Sequence, residues 1–290
     1  MKVKKAVIPA AGFGTRFLPF TKAMPKEMLP IIDTPTIEYI VRECVESGIE
    51  EVLIIINSEK ECIRTHFGNN KVFENFLIKN NKLKELEIIQ ELPKIVKVSF
   101  TYQHEQLGLG HAVLCAIEFV NNEPFALLLG DDLYVGDKLP VTKQLINAYE
   151  KTNSSILGTL NVSIDDVSKY GICEPLNKED KELVKLKSVI EKPSKEDAPS
   201  TMAIGGRYLL TPTIFKYLET QTRGKGGEIQ LTDSILRMMV EEDVYALDVK
   251  GMRYDIGSKK GFLDATIDFA LSRDDLKEDI KEIIRQKELD

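Results

Sequence analysis

Small residues crowd a stretch near the start of the chain that could bind an anion. Positions 9–30 read PAAGFGTRFLPFTKAMPKEMLP and follow directly on a short apolar run. Ala10, Ala11, Gly12 and Gly14 let the backbone approach a ligand closely. Successive backbone N–H groups in such a loop can form a concave site for a phosphate group.

Cations follow the small residues, which strengthens the phosphate interpretation. Arg16, Lys22 and Lys26 place three positive charges within eleven positions, and Arg and Lys are the side chains that bind phosphate oxygens. Two familiar phosphate motifs fail, because a Rossmann G-x-G-x-x-G and a Walker loop both require glycine where Phe17 stands. Gly12 alone would indicate only a turn, but a 22-residue loop without structure of its own is usually functional.

A pair of carboxylates ends the apolar strand FALLLGDD. Asp131 and Asp132 fall at the carboxyl end of that strand, where open α/β sheets bind ligands. Mg²⁺ prefers one or two carboxylates together with substrate phosphates. A strand-ending turn would explain the pair equally well, but the nearby phosphate loop favours a metal site. Because side chains alternate along a strand, we expect only one of the two to bind the metal.

Three further positions carry polar groups suited to a small polar ligand. Glu191 suits hydroxyl donors and Lys192 suits an anion, although an exposed loop with a chance ion pair is the simpler interpretation. Gln103 offers both a donor and an acceptor, as a pyrimidine edge demands, but a polar strand end is nearly as good an explanation.

Short apolar runs alternate with amphipathic stretches, and this alternation predicts the fold. The predicted strands are Ala6–Pro9, Val52–Asn57, Val98–Gln103, Phe125–Gly130 and Ser155–Leu160, and the predicted helices are Thr36–Ser47, His111–Val120 and Val141–Lys151. Strand–helix–strand alternation predicts an α/β protein with a mixed, mostly parallel sheet flanked by helices.

Two segments depart from this alternation. Residues 69–96 are polar with interleaved apolar side chains, which predicts a helical insertion on the surface. Residues 273–290 carry Leu276, Ile280, Ile283 and Ile284 at helical spacing among charges, a narrow stripe that needs another surface to cover it. We therefore expect one catalytic domain over 1–272 and a C-terminal helix over 273–290. Either its own domain or a second subunit would cover the stripe equally well, and in the second case the helix is an oligomerisation element.

Composition excludes several classes of protein. The 290 residues carry a net charge of −7, which argues against nucleic acid as a partner because phosphate backbones select basic surfaces. The four cysteines are scattered without a C-x-x-C pair, which disfavours zinc and disulfides and favours a reducing compartment. The absence of a signal peptide core or a membrane-length apolar run predicts a cytoplasmic protein with no membrane association.

The motifs taken together resemble those of the sugar-phosphate nucleotidyltransferases. The loop matches A-A-G-x-G-T-R-x-x-P-x-T-K-x-x-P-K-E-x-L-P, and the resemblance extends over nearly the whole chain in the order GLGHA, GDD, YG, EKP, GRY, EIQLTD and YDIG. It is strongest for the bacterial branch that uses UTP. It implies a Rossmann-like fold of the glycosyltransferase-A type, with the helical insertion at 69–96 as a mark of that branch.

The resemblance also implies a reaction and a set of site residues. The reaction is transfer of uridylyl from UTP to α-D-glucose 1-phosphate with Mg²⁺ as cofactor, in a homodimer or homotetramer. By resemblance the implied residues are, for catalysis, Arg16, Lys26 and Lys192; for the nucleotide, Ala11, Gly12, Gly14, Thr15, Gln103 and Gly108; for the sugar, Gly171, Glu191 and Lys192; and for the metal, Asp131 and Asp255.

Two alternatives remain open at this point. The first is a glucose-1-phosphate thymidylyltransferase, which differs in the base it accepts. The second is a catalytically silent regulatory subunit that binds a nucleotide sugar on the same scaffold. A silent subunit should have lost charged site residues, whereas Arg16, Lys26, Asp131 and Lys192 are all present.

Overall fold

A computed structural model describes residues 2–177 and 181–287, and its centre is a nine-stranded mixed sheet. Two small two-stranded sheets accompany it. The strands are β1 Lys5–Pro9, β2 Pro30–Ile31, β3 Thr34–Pro35, β4 Glu51–Ile56, β5 Lys97–Tyr102, β6 Phe125–Leu128, β7 Asp132–Gly136, β8 Ser155–Asn161, β9 Gly171–Pro175, β10 Leu183–Glu191, β11 Met202–Leu210, β12 Val244–Asp248 and β13 Gly251–Asp255.

Helices cover both faces of this sheet. They are α1 Thr36–Glu46, α2 Glu61–Phe67, α3 Lys71–Lys79, α4 Leu83–Ile95, α5 Leu109–Leu114, α6 Ile117–Val120, α7 Val141–Thr152, α8 Ile214–Leu218, α9 Leu231–Met238, α10 Lys259–Ser272 and α11 Lys277–Gln286. Alternation along β1 shows the two layers directly. Ala6 and Ile8 pack into one core cluster with α1 and α7, while Val7 packs into the other with α8 and α9.

The sheet order is β5-β4-β1-β6-β11-β8-β12-β10-β9. The mixed α/β architecture is as expected, but the parallel strands are concentrated in one half. The strands from β5 to β6 run parallel, whereas β11 is antiparallel to both of its neighbours and β10 to both of its own. Four of the eight neighbouring pairs are parallel, so "mostly parallel" is correct only for the amino-terminal half. Hydrophobicity cannot reveal this, because a strand buried on both faces is apolar in either orientation.

Most predicted elements lie within a residue or two of their observed bounds, and one helix and the loop at 9–30 differ. The predicted helix His111–Val120 is interrupted between α5 and α6, since the N–H of Cys115 is shared by the carbonyls of His111 and Ala112 and the chain tightens there into a turn. The phosphate loop was expected to lack structure, yet it contains three short 3₁₀ turns, Thr15–Phe17, Phe20–Lys22 and Lys26–Met28.

The two atypical segments are helical. Helices α3 and α4 occupy the stretch 69–96, with Phe73, Phe76 and Ile88 exposed on their surfaces. The C-terminal helix begins only at Lys277, because Arg273 adopts an extended backbone and its guanidinium pairs with Asp33 and Asp275. The last three positions of the predicted 273–290 helix lie outside the described residues.

Candidate active site

A continuous cleft opens at the carboxyl ends of β1 and β6, and it consists of three adjoining cavities. The carboxylate cavity, of about 530 Å³, is bordered by Asp131, Asp255 and Lys192. The glycine-loop cavity, of about 420 Å³, is bordered by Gly12 and Gln103. The cation cavity, of about 220 Å³, has walls from Arg16, Lys26, Asp131 and Gly257.

Shared walls join these cavities into one site. Leu109 and Glu228 border both the carboxylate and the glycine-loop cavities. Gly14 and Thr15 border both the glycine-loop and the cation cavities. The site residues expected from the sequence therefore line one cleft. They are Ala11, Gly12, Gly14, Thr15, Arg16, Lys26, Gln103, Gly108, Asp131, Gly171, Glu191, Lys192 and Asp255.

The glycine-rich loop is fixed from beneath by side chains that sequence reasoning missed. Asn57 Nδ2 donates to the carbonyl of Ala11 at 2.6 Å, and Lys60 Nζ donates to the carbonyl of Ala10 at 2.6 Å. Lys60 also forms an ion pair of 2.7 Å with Glu27, and both side chains are almost completely buried. Burial raises the pKa of Glu27 and lowers that of Lys60, and the attraction between the two groups opposes both shifts.

Lys26 and Asp131 form an ion pair on the wall of the cation cavity. Lys26 Nζ lies 2.6 Å from Asp131 Oδ2. Burial opposes charge on both groups, but their mutual attraction outweighs it, so the pKa of Asp131 lies below its usual value and the pKa of Lys26 lies above. A cation of the 9–30 loop and a carboxylate of the turn after β6, both ionised, therefore stand side by side.

Asp131 and Asp255 converge on one small space. A β-carbon placed on Gly257 would lie 3.0 Å from Asp131 Oδ2, 3.0 Å from Asp255 Oδ1 and 3.6 Å from Arg16 Nη1. The two carboxylate oxygens therefore face a common gap that only a residue without a side chain leaves open. This cradle of hard oxygen donors fits Mg²⁺.

The carboxylate neighbouring Asp131 is turned away from this cradle. Asp132 is buried and pairs with Arg253, whose Nη2 lies 2.5 Å from Asp132 Oδ1. Burial raises the pKa of Asp132 to about 6 although Arg253 opposes that shift. The two aspartates are separated as expected, but not by alternation along one strand: Asp131 lies in the turn after β6, whereas Asp132 begins β7. It is Asp131 that faces Asp255 and Lys26.

No larger acidic cluster competes with this pair. Within residues 2–177 and 181–287 there is no group of three or more His, Cys, Asp or Glu side chains that could bind a metal ion. A metal ion held between Asp131 and Asp255 would therefore take its remaining ligands from substrate phosphates or water, as Mg²⁺ commonly does.

The far wall of the carboxylate cavity carries the polar groups predicted for a hydroxylated ligand. Glu191 ends β10, and its Oε2 accepts a hydrogen bond of 2.7 Å from Thr232 Oγ1. Lys192 has a left-handed backbone, with φ of 46°, and its Nζ lies 3.2 Å from Glu191 Oε1. The backbone N–H of Lys192 donates to the carbonyl of Tyr170, next to Gly171. The contact from Thr232 carries no signal in the sequence, because it joins residues 41 positions apart.

A buried arginine holds the turn that carries Asp131, and sequence reasoning gave it no role. Arg207 donates from Nη2 to the carbonyl of Asp132 at 2.7 Å and to Glu43 Oε2 at 2.8 Å. Glu43 also accepts from the N–H and the hydroxyl of Thr142, at 3.0 and 2.6 Å. The GRY motif was noticed, but the partner of its arginine lies 164 positions away.

Gly206 makes this arrangement possible. Its φ is 77°, and a β-carbon there would fall 2.2 Å from Asp132 Oδ2. The pairing of β11 with β8 shifts register between Ile204 and Tyr208, around this glycine. Irregularities of this kind re-aim side chains beside active sites, and here Arg207 is aimed beneath the aspartate turn.

Known proteins are similar to almost the whole of this chain. A sequence model of the family described as Nucleotidyl transferase matches residues 5–271. A UTP–glucose-1-phosphate uridylyltransferase of Staphylococcus epidermidis is 48% identical over 288 residues, which is 99% of either chain.

Two solved structures are similar over almost all of the chain. A UTP-bound UGPase from Acinetobacter baumannii has a TM-score of 0.91 and 36% identity, covering 99% of this chain and 100% of its own. A UDP-glucose pyrophosphorylase complexed with UDP-glucose has a TM-score of 0.84 and 39% identity, covering 93% and 100%.

The ion pair beneath the loop gives the first prediction. Lys60→Met should lower the free energy of unfolding by about 3–5 kcal/mol, because it leaves Glu27 buried without its partner. Lys4→Met removes an exposed pair with Glu50 and should cost no more than about 1 kcal/mol. Urea unfolding of the two variants measures the difference, and equal small losses would contradict the role given to Lys60.

Proposed function

Because the chain belongs to the nucleotidyl transferase family, we propose that it transfers uridylyl from UTP to α-D-glucose 1-phosphate, giving UDP-glucose and pyrophosphate. It is an enzyme whose relatives at 48% identity carry that activity in their names. The observation that carries the assignment to this site is the convergence of Arg16, Lys26, Asp131 and Asp255 beside a glycine-rich loop.

The chemistry of the reaction explains why the site is built from charges. A phosphate oxygen of glucose 1-phosphate attacks the α-phosphorus of UTP, in line with the departing pyrophosphate. The attacking phosphate has a second pKa of about 6, so it is largely dianionic at neutral pH and needs no general base. The obstacle is repulsion between two polyanions, and neutralisation and positioning are what the protein supplies.

The cations divide this work by position. Arg16 is exposed in the cleft and has no ion-pair partner within the described part of the chain, so it is available to triphosphate oxygens. Lys26 stands beside it, held ionised by Asp131. Lys192, on the opposite wall beside Glu191, is placed to orient the nucleophilic phosphate while Glu191 and Gly171 receive the sugar.

Mg²⁺ is the proposed cofactor, and Asp131 with Asp255 would hold it. When bound, it would neutralise phosphate charge in the cradle beside Arg16. The support is the chemistry of the two facing carboxylates and the open space at Gly257.

The nucleotide base is proposed to enter the glycine-loop cavity, against Ala11, Gly12, Gln103 and Gly108.

Release of pyrophosphate from UTP, dTTP, CTP and ATP, each with several sugar 1-phosphates, tests the proposed function. We expect UTP with glucose 1-phosphate to give the highest kcat/KM. Preference for dTTP would identify a thymidylyltransferase, and binding of UDP-glucose without turnover would identify a silent subunit.

The cations give the second prediction. Lys26→Ala or Arg16→Ala should lower kcat/KM by roughly 10²-fold or more, as is typical when one preorganised donor to a developing anion is lost. Lys22→Ala is the matched control in the same loop, because Lys22 is exposed and borders none of the three cavities. Near-normal turnover in both cavity variants would refute the role of the loop.

The two aspartates give the third prediction. Asp131→Asn should remove most Mg²⁺-dependent activity in a folded protein, since the change is nearly isosteric. Asp132→Asn should remove less, because Asp132 faces Arg253 and not the cradle. The measurement is kcat at saturating substrates over a titration of Mg²⁺. A larger loss in Asp132→Asn would show that Asp132, and not Asp131, holds the metal.

We also propose a homodimer or homotetramer assembled through α11, in the cytoplasm. Ile283 and Ile284 remain 46% and 44% exposed on α11, and Leu263 and Ile267 are exposed on α10. An isolated helix of ten residues is marginal in water, and closed symmetric dimers are the commonest assemblies.

The four cysteines are free thiols, which supports a reducing compartment. Within residues 2–177 and 181–287, no helix is long and apolar enough to cross a membrane.

The fourth prediction concerns this assembly. The double variant Ile283→Asp/Ile284→Asp should lower the mass measured by light scattering to that of the monomer. A chain ending at Ser272 should do the same. Val240→Asp is the control, because Val240 is 87% exposed elsewhere on the surface. A monomeric native chain would disprove the proposal, and an unchanged oligomer in both variants would place the interface elsewhere.

A further inference from the structure

We propose that His111 fixes the amide of Gln103 with its carbonyl oxygen towards the glycine-loop cavity, and that this orientation selects the nucleotide base. His111 is then a positioning residue that determines specificity without touching the substrate. The inference rests on the proposed function, because it concerns which base the same site accepts.

Two acceptors converge on the nitrogen of the Gln103 amide. Nε2 lies 3.1 Å from the carbonyl oxygen of Gly108 and 3.1 Å from Nδ1 of His111. A backbone carbonyl can only accept, so the nitrogen of the amide, and not its oxygen, must face Gly108. His111 therefore accepts through Nδ1 and carries its ring proton on Nε2.

The amide oxygen is left for the cavity. Gln103 is only 3% exposed, and among the described residues no hydrogen bond is found to its Oε1. Every fully buried side-chain nitrogen or oxygen in the same residues has a partner. Because Oε1 of Gln103 has no such partner, it is not fully buried. Gln103 borders the glycine-loop cavity together with Ala11 and Gly12, so we infer that Oε1 faces that cavity.

A fixed acceptor distinguishes the pyrimidines. Uracil presents an N3–H donor, which Oε1 can accept, whereas N3 of cytosine is an acceptor and would face Oε1 lone pair to lone pair. An amide free to rotate could present its NH₂ group to cytosine instead. The preference therefore comes from the orientation of Gln103, which His111 and Gly108 impose, and not from the presence of glutamine alone.

Thymine shares the N3–H donor with uracil. The fixed orientation of Gln103 therefore discriminates uracil and thymine from cytosine but does not discriminate uracil from thymine. This gives the experiment an internal control, since dTTP should respond to changes at His111 in the same way as UTP.

His111→Leu removes the acceptor while keeping a side chain of similar size. We expect the KM for UTP to rise roughly five- to tenfold, the effect of losing one hydrogen bond, with kcat within about twofold of the native value. The Ki of CTP as a competitor of UTP should stay constant or fall. The ratio of Ki for CTP to KM for UTP should thus fall at least about fivefold, whereas the ratio of Ki for dTTP to KM for UTP should not change.

His111→Asn is the conservative variant, because its amide oxygen can take the place of Nδ1 as acceptor. It should keep the native ratio of Ki for CTP to KM for UTP within about twofold. General damage to the fold would weaken UTP and CTP together and leave this ratio unchanged.

The double variant Gln103→Ala/His111→Leu tests whether His111 acts through Gln103. Its ratio should equal that of Gln103→Ala alone. A native ratio in His111→Leu, or a further fall in the double variant, would overturn the inference. If the native chain does not turn over UTP, the proposed function itself fails. If it does and His111→Leu keeps the native ratio, only the role of His111 fails.

Discussion

The buried ion pair between Arg207 and Glu43 is the interaction on which the geometry of the cleft depends. Arg207 binds the backbone at Asp132, and its Nη1 approaches the carbonyl of Leu129 at 3.5 Å, so one guanidinium spans the turn that carries Asp131. Glu43 anchors that guanidinium to α1 and, through Thr142, to α7. Burying both charges is costly, and breaking such a pair typically costs about 3–5 kcal/mol. Because the partners are satisfied on every side, the network favours a single position of the turn.

Other ion pairs support the rest of the cleft in the same way. The Lys60–Glu27 pair supports the glycine-rich loop. Arg253 pairs with Asp132 and so holds that carboxylate away from the cradle of Asp131 and Asp255. The N–H of Ile256 donates to the carbonyl of Asp131 at 2.9 Å, which ties the strand end at Asp255 to the same turn. The charges that hold the cleft together are paired inside the protein, and the charges that we propose to meet the substrates face the cleft. A reaction limited by repulsion between anions requires such a rigid, charged frame.

The sequence predicted those parts that depend on local pattern. Apolar runs located the strands. The side chains of Asp131 and Asp132 do point apart as expected, but a turn and the start of a new strand separate them, and not alternation along one strand. The loop at 9–30 could be singled out because its small residues and cations are neighbours in the chain, and the structure places it on the wall of the cleft. The parts that were missed join distant positions, such as Glu43 with Arg207, or Thr232 with Glu191. Their residue types are ordinary, and only the folded chain brings them together. The antiparallel pairings of β11 and β10 were missed for a related reason, since strand direction is set by connections and not by composition.

Glu43→Gln shows whether the Arg207–Glu43 pair sets the position of Asp131 for the proposed reaction. This change keeps the shape of the side chain and removes its charge. In protein shown to be folded at the assay temperature by circular dichroism, the account predicts that kcat falls at least about tenfold while the KM for UTP changes less than about threefold. The reason is that the turn carrying Asp131 shifts while the base cavity is untouched. A kcat within about twofold of the native value in a folded variant would contradict the account.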